Sequence, residues 1–171
     1  MIETHIKAIP NFPSDGVVFR DISPLFQDAA AFGEMLDLLC APWHGRGIDK
    51  VVGLEARGFI VGAAMADRLK AGFVAARKKG KLPRERISRS YALEYGTAEL
   101  ELHRDAIAPG ETVLLVDDIL ATGGTAGAGL ALIEELGGAV AGCAFVVSLP
   151  DLGGEAALRD AGHDVHSLFR F

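Results

Sequence analysis

The stretch from Val113 to Thr125, VLLVDDILATGGT, combines three chemical features within a few residues. Val113 to Val116 is a continuous apolar run of the kind found in buried strands, and it delivers two adjacent carboxylates, Asp117 and Asp118, at its carboxyl end. Ala121, Thr122, Gly123, Gly124 and Thr125 then make a tight turn into a helix N-terminus. Small residues there let backbone N–H groups approach an oxyanion, and the helix dipole favours its charge. The hydroxyls of Thr122 and Thr125 add donors. This is not a Walker loop, because no Lys follows the glycines, and it is not the GxGxxG dinucleotide fingerprint. Asp accepts hydrogen bonds from vicinal hydroxyls while such a turn holds a phosphate, so the pairing suits a phosphorylated sugar.

A second concentration of charge lies at Arg77 to Arg89, which carries seven Lys or Arg and one Glu and reads as a polar loop and an anion site. No stripe of basic and stacking aromatic residues accompanies it, which argues against nucleic acid. Tyr91 to His103 alternates Leu93, Tyr95, Leu100 and Leu102 with Glu94, Glu99 and Glu101, the pattern of an antiparallel hairpin turned near Gly96. His163 and His166 fall where a strand begins, so their spacing points them to opposite faces and not at one metal. Asp15, Asp21 and Asp28 read as turn or capping residues, and Trp43, after Pro42, as packing.

These groups need a scaffold, and the chain alternates short β-branched runs with longer Ala/Leu-rich segments. Strands are expected at Val51–Leu54, Phe73–Ala76, Val113–Val116, Val140–Leu149 and Val165–Phe169. Helices are expected at Gly58–Leu69, Ala126–Leu136 (ending at Gly137-Gly138) and Glu155–Ala161. Continuous apolar strands joined by helices imply an α/β fold, a doubly wound, mostly parallel sheet flanked by helices. The whole chain, residues 1–171, reads as a single domain. Of its 171 residues 50% are hydrophobic and 23% charged, enough for a core without metal or disulfide support. With 17 Lys and Arg against 23 Asp and Glu the net charge is −6, a poor overall match for nucleic acid or an anionic membrane. Cys40 and Cys143 read as reduced core residues. No apolar stretch is long enough for a membrane span or a signal peptide, so a cytoplasmic location is expected.

The strand, the two acids and ATGGT together resemble the phosphoribosyl-pyrophosphate signature of type I phosphoribosyltransferases. Further segments resemble the adenine phosphoribosyltransferases within that group: FPSDGVVFRDISPLF at Phe12–Phe26, GLEARGF at Gly53–Phe59, RKKGKLP at Arg77–Pro83 and SYALEYGTAELELH at Ser90–His103. Together they cover most of the chain. One departure stands out: Ser148, just before Leu149, occupies a position where an acidic residue is expected in many members.

The resemblance implies a small N-terminal hood, formed mainly by about residues 1–30, a mobile hairpin loop, and the conversion of adenine and phosphoribosyl pyrophosphate to AMP and pyrophosphate. It implies Mg²⁺ held mainly by the substrate's own oxygens, with no protein metal site. Asp117 and Asp118 would hold the ribose hydroxyls, and Ala121, Thr122, Gly123, Gly124 and Thr125 the 5′-phosphate. Arg57, Arg77, Lys78 and Lys81 would bind pyrophosphate, some of them across a subunit boundary, which implies a homodimer. Fixed cations there stabilise the leaving group as its charge grows, so Arg57 counts as catalytic. Phe19 and Arg20 would meet the base from the hood, with Ile119 and Leu149 on the opposite side. Backbone groups of Arg20 would read adenine's amine and ring nitrogen 1, which disfavours 6-oxopurines. Glu94 would exchange a proton with purine nitrogen 7, and Tyr95 would help close the loop. Alternatives from the same residues are transfer to xanthine, hypoxanthine or orotate, and a regulator that senses phosphoribosyl pyrophosphate.

Overall fold

A computed structural model describes residues 2–93 and 95–171, in two compact units that divide after Leu38. In the first unit a 3-10 turn (Ile2–His5) leads into an antiparallel hairpin, β1 (Lys7–Pro10) and β2 (Val18–Asp21), which pairs Ala8 with Arg20 and Ile9 with Phe19. The Phe12 and Phe19 rings meet edge to face at 5.2 Å. Two helices follow, α1 (Ser23–Gln27) and most of α2 (Ala29–Cys40). As expected of turn and capping residues, the Asp21 carboxylate accepts the Ser23 N–H at 2.9 Å and that of Asp28 accepts the Ala31 N–H at 2.8 Å.

The second unit, Leu39–Phe171, is built on β3 (Lys50–Leu54), α3 (Arg57–Leu69), β4 (Gly72–Lys78), β5 (Arg86–Leu93), β6 (Gly96–His103), β7 (Thr112–Leu120), α4 (Gly124–Glu135), β8 (Ala139–Ser148), α5 (Gly154–Asp160) and β9 (Val165–Arg170). Its seven-stranded sheet has the order β5-β6-β4-β3-β7-β8-β9. The five strands from β4 to β9 are parallel, and β5 and β6 are antiparallel. β3, β7 and β8 sit at the centre, and their near-continuous apolar runs are buried on both faces. Adjacent residues of β3 show the two-sided cover. A Cβ on Gly53 would lie 2.7 Å from the Gly58 carbonyl of α3, whereas the side chain of the next residue, Leu54, lies beside Gly129 of α4. The main core joins Val52, Leu54, Leu115 and Phe145 to Ala126, Leu130 and Ile133 of α4.

Three boundaries differ from the sequence expectation. β7 continues past Val116 to Leu120, so Asp117 and Asp118 lie within the strand and not beyond it. α4 begins at Gly124, inside the glycine turn. The basic segment 77–89 is not one loop: Arg77 and Lys78 finish β4, while Arg86 to Arg89 open β5. Along Arg86–Leu93 Ile87 is the buried residue and most of the others are exposed, so the density of charge masked a strand with little apolar signal. α4 ends as expected, with Gly137 at φ 86°. Trp43 is buried, and the Arg46 guanidinium lies 4.8 Å over its ring. Cys40 and Cys143 are buried free thiols.

Candidate active site

Parallel strands place their carboxyl ends at one edge of the sheet, where crevices open in α/β folds. At that edge β7 passes through Ala121–Gly123 into α4. Gly123 adopts φ 85°, which only glycine takes readily, and this reverses the chain so that the first N–H groups of α4 face the turn. Asp117, Ile119, all five turn residues from Ala121 to Thr125 and Phe145 line one small cavity of about 90 Å³. Its backbone N–H groups and the Thr122 and Thr125 side chains make the turn side of this cavity suited to a compact anion.

Asp118 is 5% exposed, and its carboxylate lies 2.6 Å from Arg57 Nε at the start of α3. That contact is charge against charge: the buried Oδ2 of Asp118 receives no well-aligned hydrogen bond. Asp117 uses Oδ1 to accept the Asp118 N–H at 2.8 Å. Burial, then the neighbouring Asp118 charge, pushes the Asp117 carboxyl well above the ordinary carboxylate range. The pair therefore resists carrying two negative charges, a resistance that hydroxyl groups or a cation would relieve.

Glu55, at the end of β3, was not singled out from the sequence, yet it organises the expected pyrophosphate cations. Its side chain is 8% exposed, with Lys81 Nζ at 2.5 Å and Arg77 Nε at 3.7 Å. It also accepts the Lys78 N–H at 2.7 Å. Burial raises its pKa, but the hydrogen bonds from Lys81 and Lys78 and the charges of Lys81 and Arg77 outweigh burial and hold it below the usual value. Other cations of the segment are matched as well, Lys79 with Glu99 at 2.8 Å, Arg84 with Asp105 at 2.5 Å and Arg86 with Glu101 at 3.2 Å. The broad depression of about 600 Å³ over β5 and β6 is lined by such mixed charges, so the segment is far less electropositive than its composition implies.

Two glycines also escaped the sequence reading. A Cβ on Gly58 would lie 2.8 Å from Asp117 Oδ1 and 3.0 Å from the Val116 carbonyl. One on Gly154 would lie 2.4 Å from the Ala121 carbonyl and 2.7 Å from Gly123 N, so α5 begins directly against the turn. Their signal was a bare glycine at a helix start, which no local rule separates from a cap. Ser148 is fully buried and donates to Glu155 at 2.8 Å, so a carboxylate does stand beside it, supplied from α5.

Leu149 is half-buried just past β8, and its N–H donates to the Leu120 carbonyl at 2.9 Å. Tyr95 is 90% exposed at the hairpin tip. Glu94 lies outside the described residues. Phe19 and Arg20 stand opposite Ile9 and Ala8 in the hairpin of the first unit. The second unit thus brings together Arg57, Asp117, Asp118, Ile119 and the turn, with Arg77, Lys78 and Lys81 gathered on Glu55.

Comparison with known proteins gives this arrangement a family. The model of the phosphoribosyl transferase domain matches residues 40–166. An adenine phosphoribosyltransferase of Paracoccus denitrificans is 56% identical over 170 residues, 99% of this chain and 91% of that protein. The crystal structure of adenine phosphoribosyltransferase from Rhodothermus marinus superposes with a TM-score of 0.93 at 45% identity, covering 99% of this chain and 96% of the other. That of the Saccharomyces cerevisiae enzyme, complexed with an imino-altritol bisphosphate and adenine, does so with a TM-score of 0.89 at 37% identity, covering 98% and 95%. With a domain match over most of its length and close relatives along nearly all of it, the chain belongs to the adenine phosphoribosyltransferase family.

Proposed function

We propose that this chain transfers the 5-phosphoribosyl group of phosphoribosyl pyrophosphate to adenine, giving AMP and pyrophosphate in purine salvage. The observation that carries the reading is the glycine turn at the end of β7, beside a buried carboxylate paired with Arg57, in a chain of this family. In the reaction the bond from the anomeric carbon to a pyrophosphate oxygen breaks, and that carbon bonds to adenine nitrogen 9. Pyrophosphate departs with the electron pair, and adenine gives up a proton.

Ala121 to Thr125 hold the 5′-phosphate, through the N–H groups at the start of α4 and the Thr122 and Thr125 hydroxyls. Asp117 and Asp118 accept from the ribose hydroxyls. Arg57 then exchanges Asp118 for the pyrophosphate, where its charge meets the developing negative charge of the leaving group. Arg77, Lys78 and Lys81 act on the same group, some from a second copy of the chain. Phe19 and Arg20 read the base, Ile119 and Leu149 pack on it, Glu94 exchanges the proton at nitrogen 7, and Tyr95 closes the site.

The donor set fits Mg²⁺ that arrives with substrate. Asp117 and Asp118 are hard oxygen donors of the kind that Mg²⁺ prefers. When bound, Mg²⁺ would neutralise charge on the pyrophosphate, and Asp117 and Asp118 would be the carboxylates that help hold it there. No helix among the described residues is long and apolar enough to cross a membrane. The two free thiols suit a reducing cytoplasm.

The test incubates the protein with phosphoribosyl pyrophosphate, Mg²⁺ and adenine, hypoxanthine, guanine, xanthine or orotate, and follows nucleotide formation by chromatography. AMP from adenine alone is expected. Product from another base would overturn the specificity, and binding of phosphoribosyl pyrophosphate without turnover would favour a sensor.

A further inference from the structure

Residues 148–155 form a closed strap. It leaves β8 at Ser148, makes a 3-10 turn at Pro150–Leu152 and enters α5 at Gly154. Its two sides hold consecutive carbonyls of the chain that leads into the glycine turn. Leu149 N–H donates to Leu120 at 2.9 Å and Gly154 N–H to Ala121 at 3.0 Å. The ends are closed on each other by the Ser148 hydroxyl, which donates to Glu155 at 2.8 Å.

Glu155 is a buried carboxylate with unusually many donors. Arg159 gives it two contacts, at 3.0 and 3.2 Å, and Arg170 two more, at 2.7 and 3.2 Å. A buried ion pair is weak grounds for stability, because apolar replacements often do as well. What it supplies is geometry. Ser148 ends β8, Arg170 ends β9 and Arg159 lies a turn along α5, so one carboxylate fixes three elements against one another. The adjacent Gly154 sits so close to the turn that Gly123, given a Cβ, would bring it to 3.0 Å from the Gly154 Cα. A shift of α5 would therefore be felt at the turn, through the Gly154 N–H bond to the Ala121 carbonyl.

We propose that Glu155 is a positioning residue for the phosphate turn: through Ser148 and Gly154 it sets where Ala121 to Thr125 present their N–H groups. The inference rests on the reading of that turn as the 5′-phosphate site. Glu155 is not among the residues that line the cavity at the turn, so its loss acts on the phosphate group through the turn and leaves pyrophosphate, held by Arg57, alone.

Calorimetric binding of ribose 5-phosphate and of pyrophosphate, each to the full chain well below its melting temperature, separates the two. Glu155→Gln is expected to weaken ribose 5-phosphate at least about fivefold while pyrophosphate stays within twofold, a fraction of what a charge-assisted hydrogen bond is worth. Ser148→Ala, which keeps the ion pairs, moves the same way by less, and Ser148→Thr, which restores the hydroxyl, returns towards the parent affinity. If Glu155→Gln fails to fold, the Ser148 pair decides. Unchanged ribose 5-phosphate affinity in the variants, or equal loss for both ligands, overturns the inference. A parent chain that binds no ribose 5-phosphate overturns the reading of the turn and the inference with it, whereas a parent that binds it yet makes no AMP removes only the reaction.

Discussion

At Asp117 the carboxylate that faces the site is kept in place by an absence. Gly58 has no side chain, and an added methyl would meet Asp117 Oδ1 at 2.8 Å and the Val116 carbonyl at 3.0 Å. Replacing a helical glycine by alanine ordinarily stabilises by about 0.5–1 kcal/mol. Here one neighbour is the backbone of a central strand, which cannot yield, and the other is a carboxylate already bound to the Asp118 N–H. The clash wins, so Gly58→Ala is expected to lower the melting temperature and to raise KM for phosphoribosyl pyrophosphate at least about tenfold, the effect of roughly 1.4 kcal/mol. Steady-state kinetics with adenine held saturating checks this, and a variant more stable than its parent with unchanged KM sinks it. This scale also shows where sequence reading stops. Asp117, Asp118 and the turn were legible because they are contiguous. Glu55 was not, because the Lys81 ammonium it holds lies 26 residues away.

Among elements, the strands and helices of the second unit were legible from apolar runs, since a central parallel strand must be apolar on both faces. Their ends were less so. β7 runs on through two carboxylates because its neighbours still pair there, Asp117 with Phe145 and Ile119 with Val147. Polarity marks the site within the strand, not the strand's end. The joint between β7 and α4 yields a second prediction. Gly123→Ala puts an L-residue at φ 85° and its Cβ 3.0 Å from Gly154 Cα, so strain and contact both oppose it. Loss of ribose 5-phosphate affinity by tenfold or more is expected, at roughly 1–3 kcal/mol of stability. Gly127→Ala, one turn on with nothing within 4 Å, is the control and should leave binding intact. Equal affinities for the two variants would refute the argument.

At the scale of the whole second unit, the two thiols and the Glu155 cluster report on opening in different ways. Burial raises Cys143 to about 12 and Cys40 to about 11, so neither forms thiolate at neutral pH. Labelling of both by an aromatic disulfide reagent should therefore be slow in the native protein and complete on unfolding, and stoichiometric labelling within seconds under native conditions would contradict their burial. Acid acts on Glu155. The Arg170 hydrogen bond, against the cost of burial and with help from Ser148 and Arg159, lowers its carboxyl to about 2 from 4.5. A group depressed on folding contributes stability that is fully present above its unfolded pKa and disappears as pH falls through the folded one, here between about pH 4.5 and 2. The contribution at neutral pH is at most about 3 kcal/mol. Glu155→Gln should accordingly lose stability at pH 7 and close much of the gap with the parent chain near pH 2, in denaturant melts made at each pH. A difference that stays constant from pH 7 to pH 2 would mean that the charge of Glu155 is not what ties β8, β9 and α5 together.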